Sequence, residues 1–280
     1  MLKTLSFITH HPLTRDRPLA ALGRFARWQV ESRIKRDVQF DWIEGSKLVV
    51  RNGMTGATGN IYCGLHEFAD MAFVLHLLRP GDLFVDVGAN IGSYTVLASA
   101  VAGADTISVE PDPGTMASLK RNIEANAIGE RVSTVEAAVG ANAGTARFTV
   151  GRDTVNRIAS EADAGTRAVR VMRLDDLLAG RAPILIKLDV EGFEAEVLAG
   201  GRETLGKRSL IAIETESRDP AVVDQLTGAG FHEVFYDPMS RTLSETAVWA
   251  QNNALFVRDR DRCLERLAQA RRVRVLTCAL

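Results

Sequence analysis

The chain of 280 residues has few cysteines and no long apolar run. Its three cysteines, Cys63, Cys263 and Cys278, are odd in number and too widely spaced for a zinc motif, so we expect free thiols. No stretch comes near the roughly eighteen apolar residues that a membrane-spanning helix needs, and residues 5–8 are too short for the core of a signal peptide. We therefore expect a cytoplasmic protein.

The sequence also lacks an excess of charge of either sign, since 34 basic residues face 35 acidic ones and the net charge is −1. This balance gives no general attraction to nucleic acid, and we expect no nucleic-acid partner. With 46% hydrophobic and 25% charged residues, the composition is that of an ordinary globular protein, and the length allows a sizeable core.

Residues 1–36 depart from this balance, with eight basic residues against two acidic ones. From about Leu19 onward, apolar residues recur at helical spacing, which predicts an amphipathic helix with a basic face. Such a helix can pack on the rest of the protein and leave its charges in water. It can also contact an anionic membrane or a phosphate-bearing carrier, so both interpretations stay open.

The most informative pattern is a strand, a glycine turn and a helix in residues 82–94. The apolar run that ends at Val87 is followed by Gly88 and Gly92 and then by a helical pattern. A second apolar run ends in Glu110, where a carboxylate can accept hydrogen bonds from ribose hydroxyls. Together these features predict a nucleoside pocket.

The glycine spacing distinguishes between the possible nucleosides. A dinucleotide fingerprint that starts at Gly88 would need glycine at positions 90 and 93, which are Asn90 and Ser93. NAD and FAD therefore fit poorly, because their pyrophosphate must approach the backbone closely. S-adenosylmethionine carries no phosphate and tolerates a side chain at Asn90, so we favour it.

From residue 66 onward, strand and helix patterns alternate, which is typical of an α/β protein. We expect a doubly wound, mostly parallel, seven-stranded sheet with helices on both faces, as in Rossmann-like proteins. The predicted strands are residues 83–87, 106–110, 132–139, 184–189, 209–214, 231–236 and 253–258, and the predicted helices are residues 92–102, 113–127, 193–205 and 219–229.

Three units are expected along the chain. Residues 1–65 would form an N-terminal extension with the basic helix and a hairpin, residues 66–260 the ligand-binding domain, and residues 261–280 a basic C-terminal helix. Residues 144–167 resemble an insertion between the third and fourth strands of the sheet, and such insertions often form a lid or a specificity element.

Several motifs resemble the FkbM-type S-adenosylmethionine-dependent methyltransferases, which have the class I methyltransferase fold. The similarity extends over about residues 67–214, and the Lys-x-Asp-x-Glu-Gly-x-Glu block that starts at Lys187 is its most particular part. The resemblance implies that residues 66–260 bind S-adenosylmethionine and transfer its methyl group to an oxygen atom. The motifs are Val85-Asp86-Val87-Gly88-Ala89-Asn90-Ile91-Gly92, Glu110-Pro111, Leu174-Asp175-Asp176-Leu177 and Ile186-Lys187-Leu188-Asp189-Val190-Glu191-Gly192-Phe193-Glu194, followed by Val197-Leu198-Ala199-Gly200.

Residues at the carboxyl ends of the parallel strands should surround the cofactor. Asp86 would accept a hydrogen bond from the methionine ammonium or would only hold the loop, Glu110 would bind the ribose, and the amides of residues 88–92 would bind the carboxylate. Tyr94 would touch the methionine part or be a core residue, and Glu136 would meet adenine. The predicted cofactor-binding residues are Asp86, Gly88, Ala89, Asn90, Gly92, Tyr94, Glu110, Pro111, Glu136, Ala137, Ala138 and Asp189.

Asp189 follows the fourth predicted strand, beside the expected position of the transferred methyl group, and we expect it to act with Lys187 and Glu191. Strand alternation would place the three side chains on one face, where Asp189 can be a base, a substrate anchor or a metal ligand. In the alternative interpretation, Lys187 forms a structural ion pair and Glu191 caps the next helix. A metal site is not predicted, although Glu214 or Glu216 with Asp189 would suit Mg²⁺.

We therefore predict an O-methyltransferase that uses S-adenosylmethionine and a hydroxyl-bearing acceptor, which would be a sugar, a glycolipid or a secondary metabolite. The first alternative is a nucleoside-binding protein of the same fold without activity. The second and less favoured alternative is an NAD-dependent oxidoreductase.

Overall fold

The computed structural model describes residues 2–149, 157–159 and 165–280. The helices in this part of the chain are α1 (Leu2–His10), α2 (Pro18–Ile34), α3 (Thr55–Cys63), α4 (Phe68–Leu77), α5 (Ser93–Val96) with a π-helix (Leu97–Val101), α6 (Pro113–Ala125), α7 (Leu174–Leu178), α8 (Glu194–Ala199), α9 (Arg202–Leu205), α10 (Pro220–Gly228) and α11 (Arg260–Ala268). The strands are β1 (Val38–Asp41), β2 (Lys47–Val50), β3 (Leu83–Val87), β4 (Asp105–Val109), β5 (Val132–Val135), β6 (Ala138–Val139), β7 (Gly144–Thr149), β8 (Thr166–Met172), β9 (Leu185–Leu188), β10 (Ala212–Thr215), β11 (His232–Asp237), β12 (Thr242–Ser244), β13 (Ala254–Val257), β14 (Arg274–Val275) and β15 (Cys278–Ala279).

The main sheet has the strand order β12-β11-β13-β10-β9-β3-β4-β5. Strands β10, β9, β3, β4 and β5 run parallel, whereas β13 is antiparallel to both of its neighbours. This arrangement confirms the predicted doubly wound, mostly parallel architecture. The sheet has eight strands and not seven, because the chain turns back after β11 and adds the short antiparallel edge strand β12.

The order of the strands places a crevice at the centre of the sheet. The chain passes from β3 outward to β4 and β5 and later returns to the other side of β3 at β9. Where the direction of winding reverses in this way, the connections after the two central strands lead to opposite faces and leave a space between them. The residues that follow β3 and β9 are therefore placed to meet a ligand.

The two central strands are buried on both faces, which fixes the positions of their ends. Leu185 of β9 packs with Phe84 of β3 in one hydrophobic cluster, and Ile186 packs with Val85 in another. Because side chains alternate along a strand, these pairs lie on opposite faces of the sheet. The strands can therefore shift little, and Asp189 leaves β9 at a defined position.

The N-terminal segment packs directly on the sheet domain. Ile8 and Trp28 belong to the same hydrophobic cluster as Ala89 and Leu119, which lie in the loop after β3 and in α6. The side chain of Asn122 accepts a hydrogen bond of 2.6 Å from the amide of Val49 in the β1-β2 hairpin. The predicted helix from about residue 19 is confirmed as α2, and the helices α1 and α3 are additional elements.

Some predicted elements are divided in the structure. The predicted strand 132–139 separates into β5 of the main sheet and β6, which joins β7 and β8 in a small three-stranded sheet. This small sheet contains the described part of the predicted insertion. The predicted helix 193–205 becomes α8 and α9, which are separated by Gly200 and Gly201.

The predicted C-terminal helix is shorter than the pattern indicated. Helix α11 ends at Ala268, and the hairpin of β14 and β15 follows, with Val273 and Leu280 exchanging backbone hydrogen bonds of 2.9 Å. Val273 and Val275 are buried in the main core, and this burial favours a paired strand over continued helix.

All three cysteines are free, as predicted. Among the described residues, we find no helix that combines the length and the apolar character needed to cross a bilayer.

Candidate functional site

A cavity of about 290 Å³ opens at the carboxyl ends of β3, β4, β9 and β10. Its lining combines residues that are more than a hundred positions apart in the sequence, such as Gly88 and Asp189. Twelve of the fourteen predicted site residues line it: Asp86, Gly88, Ala89, Asn90, Tyr94, Glu110, Pro111, Ala137, Ala138, Lys187, Asp189 and Glu191.

The loop after β3 is shaped by close contacts that require glycine. Gly88 has a φ of +80°, and a Cβ atom there would collide with the carbonyl oxygen of Asp189. Gly92 also has a positive φ, and a Cβ there would collide with the side chain of Leu119. Gly88 thus lets the ends of β3 and β9 approach each other, whereas Gly92 supports the loop without lining the cavity.

The amides of this loop are engaged within the protein. Those of Gly88 and Ala89 donate to the Val109 carbonyl at 3.0 and 2.9 Å, and that of Asn90 donates to the Glu110 carboxylate at 3.1 Å. The structure therefore does not support the expectation that these amides bind the carboxylate of the cofactor. The physical reason is that the loop folds back on the end of β4.

Glu110 lies in the cavity with both carboxylate oxygens bonded to main-chain amides. Oε2 accepts from Asn90, and Oε1 accepts from Asp112 at 2.9 Å. Burial raises the pKa of Glu110 to about 7, although these two hydrogen bonds act in the opposite direction. The carboxylate is thus held in place and is close to its titration point at neutral pH.

Asp86 belongs to a polar row that crosses the sheet. In the strand register, Asp86 lies beside Ser108 of β4 and beside Lys187 of β9. The Thr95 hydroxyl donates a hydrogen bond of 2.7 Å to Asp86. Burial raises the pKa of Asp86 to about 6, while Lys187 counteracts this effect. Asp86 therefore both supports helix α5 and faces the cavity.

Lys187 is the cation at the centre of this row. Its Nζ donates to Asp189 Oδ2 at 2.6 Å and lies 4.6 Å from the centre of the Tyr94 ring. The Lys187 side chain is 2% exposed, whereas that of Asp189 is 37% exposed. Burial lowers the pKa of Lys187, but the surrounding carboxylates, led by Asp189, outweigh this effect and raise it above its ordinary value. Lys187 therefore stays charged and holds Asp189 at the edge of the cavity.

Tyr94 links this pair to helix α4. Its hydroxyl donates a hydrogen bond of 2.6 Å to Glu67, which also lines the cavity. Burial raises the pKa of Tyr94 well above its usual value, so the phenol keeps its proton and remains a donor. Tyr94 is consequently both a core residue and a wall of the cavity.

Asp189, Glu191 and Glu216 form an acidic group at one end of the cavity. Each contributes a carboxylate oxygen, and these atoms all lie within 4.8 Å of one another. Burial and the neighbouring carboxylates of Asp189 and Glu191 together raise the pKa of Glu216 to about 7. Glu214, the other candidate partner of Asp189, instead accepts from Asn253 at 2.9 Å inside the protein and does not line the cavity.

Glu136 is the predicted site residue that the structure places elsewhere. It is exposed and is not part of the cavity lining. The prediction assumed a continuous strand over 132–139, but β5 ends at Val135 and the chain turns at Glu136. Only Ala137 and Ala138 of this expected group reach the cavity.

One known protein family matches the segment that contains most of these residues. The model of the family described as "Methyltransferase FkbM domain" matches residues 86–234, a little over half of the chain. The chain belongs to the FkbM methyltransferase family. The matched segment begins at Asp86 and includes Glu110, Asp189 and Glu216.

Two curated proteins resemble this FkbM-family chain. The 31-O-demethyl-FK506 methyltransferase FkbM of Streptomyces tacrolimicus is 30% identical over 206 residues, which cover 59% of this chain and 78% of that protein. The hexuronic acid methyltransferase AglP of Haloferax volcanii is 28% identical over 157 residues, covering 55% and 64%. A solved structure of a methyltransferase FkbM from Methylobacillus flagellatus KT is 16% identical with a TM-score of 0.44 and covers 85% of this chain and 60% of that one.

Several lining residues of this FkbM-family protein were not among those predicted. Glu67 precedes α4, Phe148 and Ile158 belong to the insertion, and Phe193 precedes α8. The only sequence signal for Phe148 and Ile158 was the length of the insertion. The position of Glu67 near the start of a predicted helix suggested that it could close over the cofactor, and Phe193 lies inside the motif that starts at Lys187.

Proposed function

We propose that this protein is an S-adenosylmethionine-dependent O-methyltransferase that acts on a hydroxyl of a sugar, a glycolipid or a secondary metabolite. The observation that carries the proposal is that Gly88, Glu110 and Asp189 share one cavity where the winding of the sheet reverses. Membership of the FkbM family supports methyl transfer, and the names of the two curated relatives support an oxygen-containing acceptor.

The residues present fit the cofactor. The left-handed Gly88 keeps the cavity floor free of a side chain, and Glu110 offers acceptors for two neighbouring ribose hydroxyls. Ala137 and Ala138 are small and leave room for the adenine ring. Asp86 and Tyr94 would lie at the methionine part, where Asp86 can accept from its ammonium group.

Asp189 would act on the acceptor. The bound cofactor would supply a methyl group on a sulfonium, which is a good leaving group. The chain must therefore position the acceptor oxygen and remove its proton as it attacks, and placement can lower the barrier by about 7–11 kcal/mol. Asp189 is held by Lys187 and partly exposed to the cavity, so its carboxylate can accept this proton.

The test is to compare cofactor binding and turnover in Asp189→Asn. We expect S-adenosylhomocysteine to bind wild type and variant alike by calorimetry. Methyl transfer from labelled S-adenosylmethionine to cell extracts should fall by about 10²-fold to 10⁴-fold, because the base is lost. The control is Asp105→Asn, which removes an exposed carboxylate at the opposite end of β4.

Three outcomes would contradict this proposal. The first is wild-type protein that binds no S-adenosylhomocysteine. The second is an Asp189→Asn variant with full activity. The third is tight binding of NADH, which would instead support an oxidoreductase.

We also propose that α2 contacts an anionic membrane surface. Leu19, Val30 and Ile34 are 82%, 59% and 77% exposed, and helical spacing places them within one narrow stripe. Arg33 and Lys35 are exposed and flank Ile34 in the sequence. An apolar stripe with adjacent basic residues suits an interfacial helix.

Sedimentation with vesicles tests this contact. Wild type should sediment with vesicles rich in phosphatidylserine, and the variant Leu19→Ser with Ile34→Ser should do so much less. Equal sedimentation of the two proteins, or no sedimentation of either, would contradict the proposal.

A further inference from the structure

The cavity has two halves that differ in chemistry. Neighbouring strands lie about 4.8 Å apart, so the ends of β4 and β10, which are three strands apart, are separated by about 14 Å. Glu110, Ala137 and Ala138 line the half beyond β4 and β5. Asp189 and Glu216 line the half beyond β9 and β10, which we call the acceptor half because the cofactor would occupy the other.

The acceptor half is rich in hydrogen-bond acceptors and negative charge. Asp189, Glu191 and Glu216 offer six carboxylate oxygens, and one oxygen from each lies within 4.8 Å of the others. Carboxylates accept hydrogen bonds and cannot donate them when ionised. They are therefore matched to a ligand that presents several donors close together, as adjacent hydroxyl groups do.

Positive charge near these carboxylates is limited. Lys187 is the only lysine or arginine among the cavity-lining residues that the structure describes, and its ammonium is already bonded to Asp189. Burial, Asp189 and Glu194 raise the pKa of Glu191, and Arg157 of the insertion acts in the opposite direction without cancelling them. A ligand carboxylate in this half would meet like charges, which weakens its binding.

Apolar side chains complete the lining. Phe193 follows Glu191 after β9 and contributes to the cavity there, whereas Phe148 and Ile158 from the insertion line the cavity beside Ala138 of the other half. Aromatic rings and carboxylates together suit a ring that has C–H groups on its faces and hydroxyls on its edge. A saturated sugar ring has this shape.

We propose that the acceptor half binds an uncharged sugar ring through neighbouring hydroxyls and discriminates against a ring that carries a carboxylate. The carboxylates of Asp189, Glu191 and Glu216 accept from the hydroxyls and repel an acidic substituent. This inference rests on the proposed function and narrows its acceptor to a neutral polyhydroxyl unit.

The experiment uses two probes of similar shape that differ in charge. Methyl β-glucopyranoside and methyl β-glucuronide are titrated into the full chain saturated with S-adenosylhomocysteine, with EDTA present and at about pH 8, where the carboxylates are ionised. Binding is followed by ligand-detected NMR. We expect the glucoside to bind and the glucuronide to bind at least about tenfold more weakly, as about 1.4 kcal/mol of repulsion would produce.

Two variants test whether the carboxylates cause the discrimination. In Glu191→Gln with Glu216→Gln, we expect the ratio of the two affinities to fall by at least about threefold, because two negative charges are removed. Glu130→Gln should leave the ratio unchanged. Glu130 is exposed and precedes the edge strand β5, so it lies at the amino end of the strand, away from the cavity at the carboxyl ends.

The inference and the proposed function can fail separately. If S-adenosylhomocysteine does not bind, the proposed function fails and this inference falls with it. If it binds, but neither sugar binds or the glucuronide binds as tightly as the glucoside, only the inference is overturned. It is likewise overturned if Glu191→Gln with Glu216→Gln leaves the ratio of the two affinities unchanged. A glucuronide that becomes the better ligand when Mg²⁺ is added would also overturn it.

Discussion

Glu110 joins two loops and, in the proposed function, would also hold the cofactor. In the free protein its two oxygens bind the amides of Asn90 and Asp112, which join the loop after β3 to the loop after β4. The same carboxylate faces the cavity. A carboxylate oxygen has more than one lone pair, so it can bind an amide and a ligand hydroxyl together. If the proposed function holds, this one residue couples the shape of the loop to the binding of the ribose.

Replacing Glu110 by Gln should weaken cofactor binding. We expect the dissociation constant of S-adenosylhomocysteine to rise by about 10-fold to 100-fold, because hydrogen bonds to a charged group contribute about 1.5–3 kcal/mol. Calorimetry checks this value, and melting curves check that the variant folds. Glu130→Gln is the matched control, and equal affinity in the two variants would contradict the role of Glu110.

The affinity of the wild type should also depend on pH. Burial raises the pKa of Glu110 to about 7, and the ionised form is the better acceptor for hydroxyl groups. Binding of S-adenosylhomocysteine should therefore strengthen as the pH rises through about 7. In Glu110→Gln this dependence should be reduced, and an unchanged pH profile would contradict the assignment.

At the scale of elements, the loop after β3 depends on two separate properties of glycine. One is the positive φ, which other residues adopt only with strain. The other is the missing Cβ, which allows the Asp189 carbonyl to approach Gly88. The sequence pattern identified this loop correctly, because a glycine turn between an apolar run and a helical pattern is a local signal.

Three alanine substitutions separate these two properties. Gly129 has neither a positive φ nor an atom close to an added Cβ, so Gly129→Ala should change the free energy of unfolding very little. Gly81→Ala has a φ of +87° and open space, so it should cost about 1 kcal/mol. Gly88→Ala combines the positive φ with a collision against the main chain and should cost clearly more than Gly81→Ala.

Urea unfolding of the four proteins measures these free energies. The cofactor affinity of Gly88→Ala should also fall, since the ends of β3 and β9 must move apart. A Gly88→Ala variant as stable as Gly81→Ala would show that the close approach to Asp189 is not required.

Other elements were not readable from local patterns. The run 132–139 is apolar enough for one strand, yet its two halves pair with different sheets. Likewise the arginine-rich end has helical spacing, but pairing with β15 turns residues 274–275 into a strand. In both cases tertiary packing outweighed the intrinsic preference of the segment.

At the scale of the whole molecule, carboxylates surround the buried ammonium of Lys187. Asp86 and Glu214 are its neighbours in the strand register, and Asp70 of α4 and Glu67 lie on the same side. Burial and the Glu67 carboxylate together raise the pKa of Asp70 to about 7. Because the pKa values of Asp86, Glu214 and Asp70 are raised, ionising these three groups in the folded chain opposes folding.

The sign of the resulting pH dependence follows from linkage. Between about pH 4 and 7 the folded chain holds a proton on Asp70 that the unfolded chain has lost, so this group lowers the free energy of unfolding as the pH rises. Buried His11 and His76, whose pKa values burial lowers to about 4 and about 3, act in the opposite direction. The contribution of Asp70 is therefore isolated by comparing the free energies of unfolding of wild type and an Asp70 variant at each pH.

Asp70→Asn should become more stable relative to wild type as the pH rises from about 5 to 8, because the variant has no charge to bury. Urea unfolding at each pH measures this difference. Asp105 is exposed, so the free energy of unfolding of the control Asp105→Asn relative to wild type should change little with pH. A flat profile for Asp70→Asn would contradict the burial of a titrating carboxylate at this position.

The sequence by itself determined the features that depend on near neighbours in the chain. These include the strand, turn and helix around Gly88, the carboxylate of Glu110 at a strand end, and the order of the main strands and helices, because propensity and periodicity act over a few residues. The Lys-x-Asp-x-Glu-Gly-x-Glu block that starts at Lys187, together with these motifs, was also sufficient to recognise the family.

Only the tertiary structure decided which of these residues meet. The strand register placed Lys187 between Asp86 and Glu214, the end of β10 brought Glu216 to Asp189, and the turn after β5 carried Glu136 into solvent. The physical reason is that such contacts join segments far apart in the chain. They depend on strand order, register and packing, which no single segment encodes.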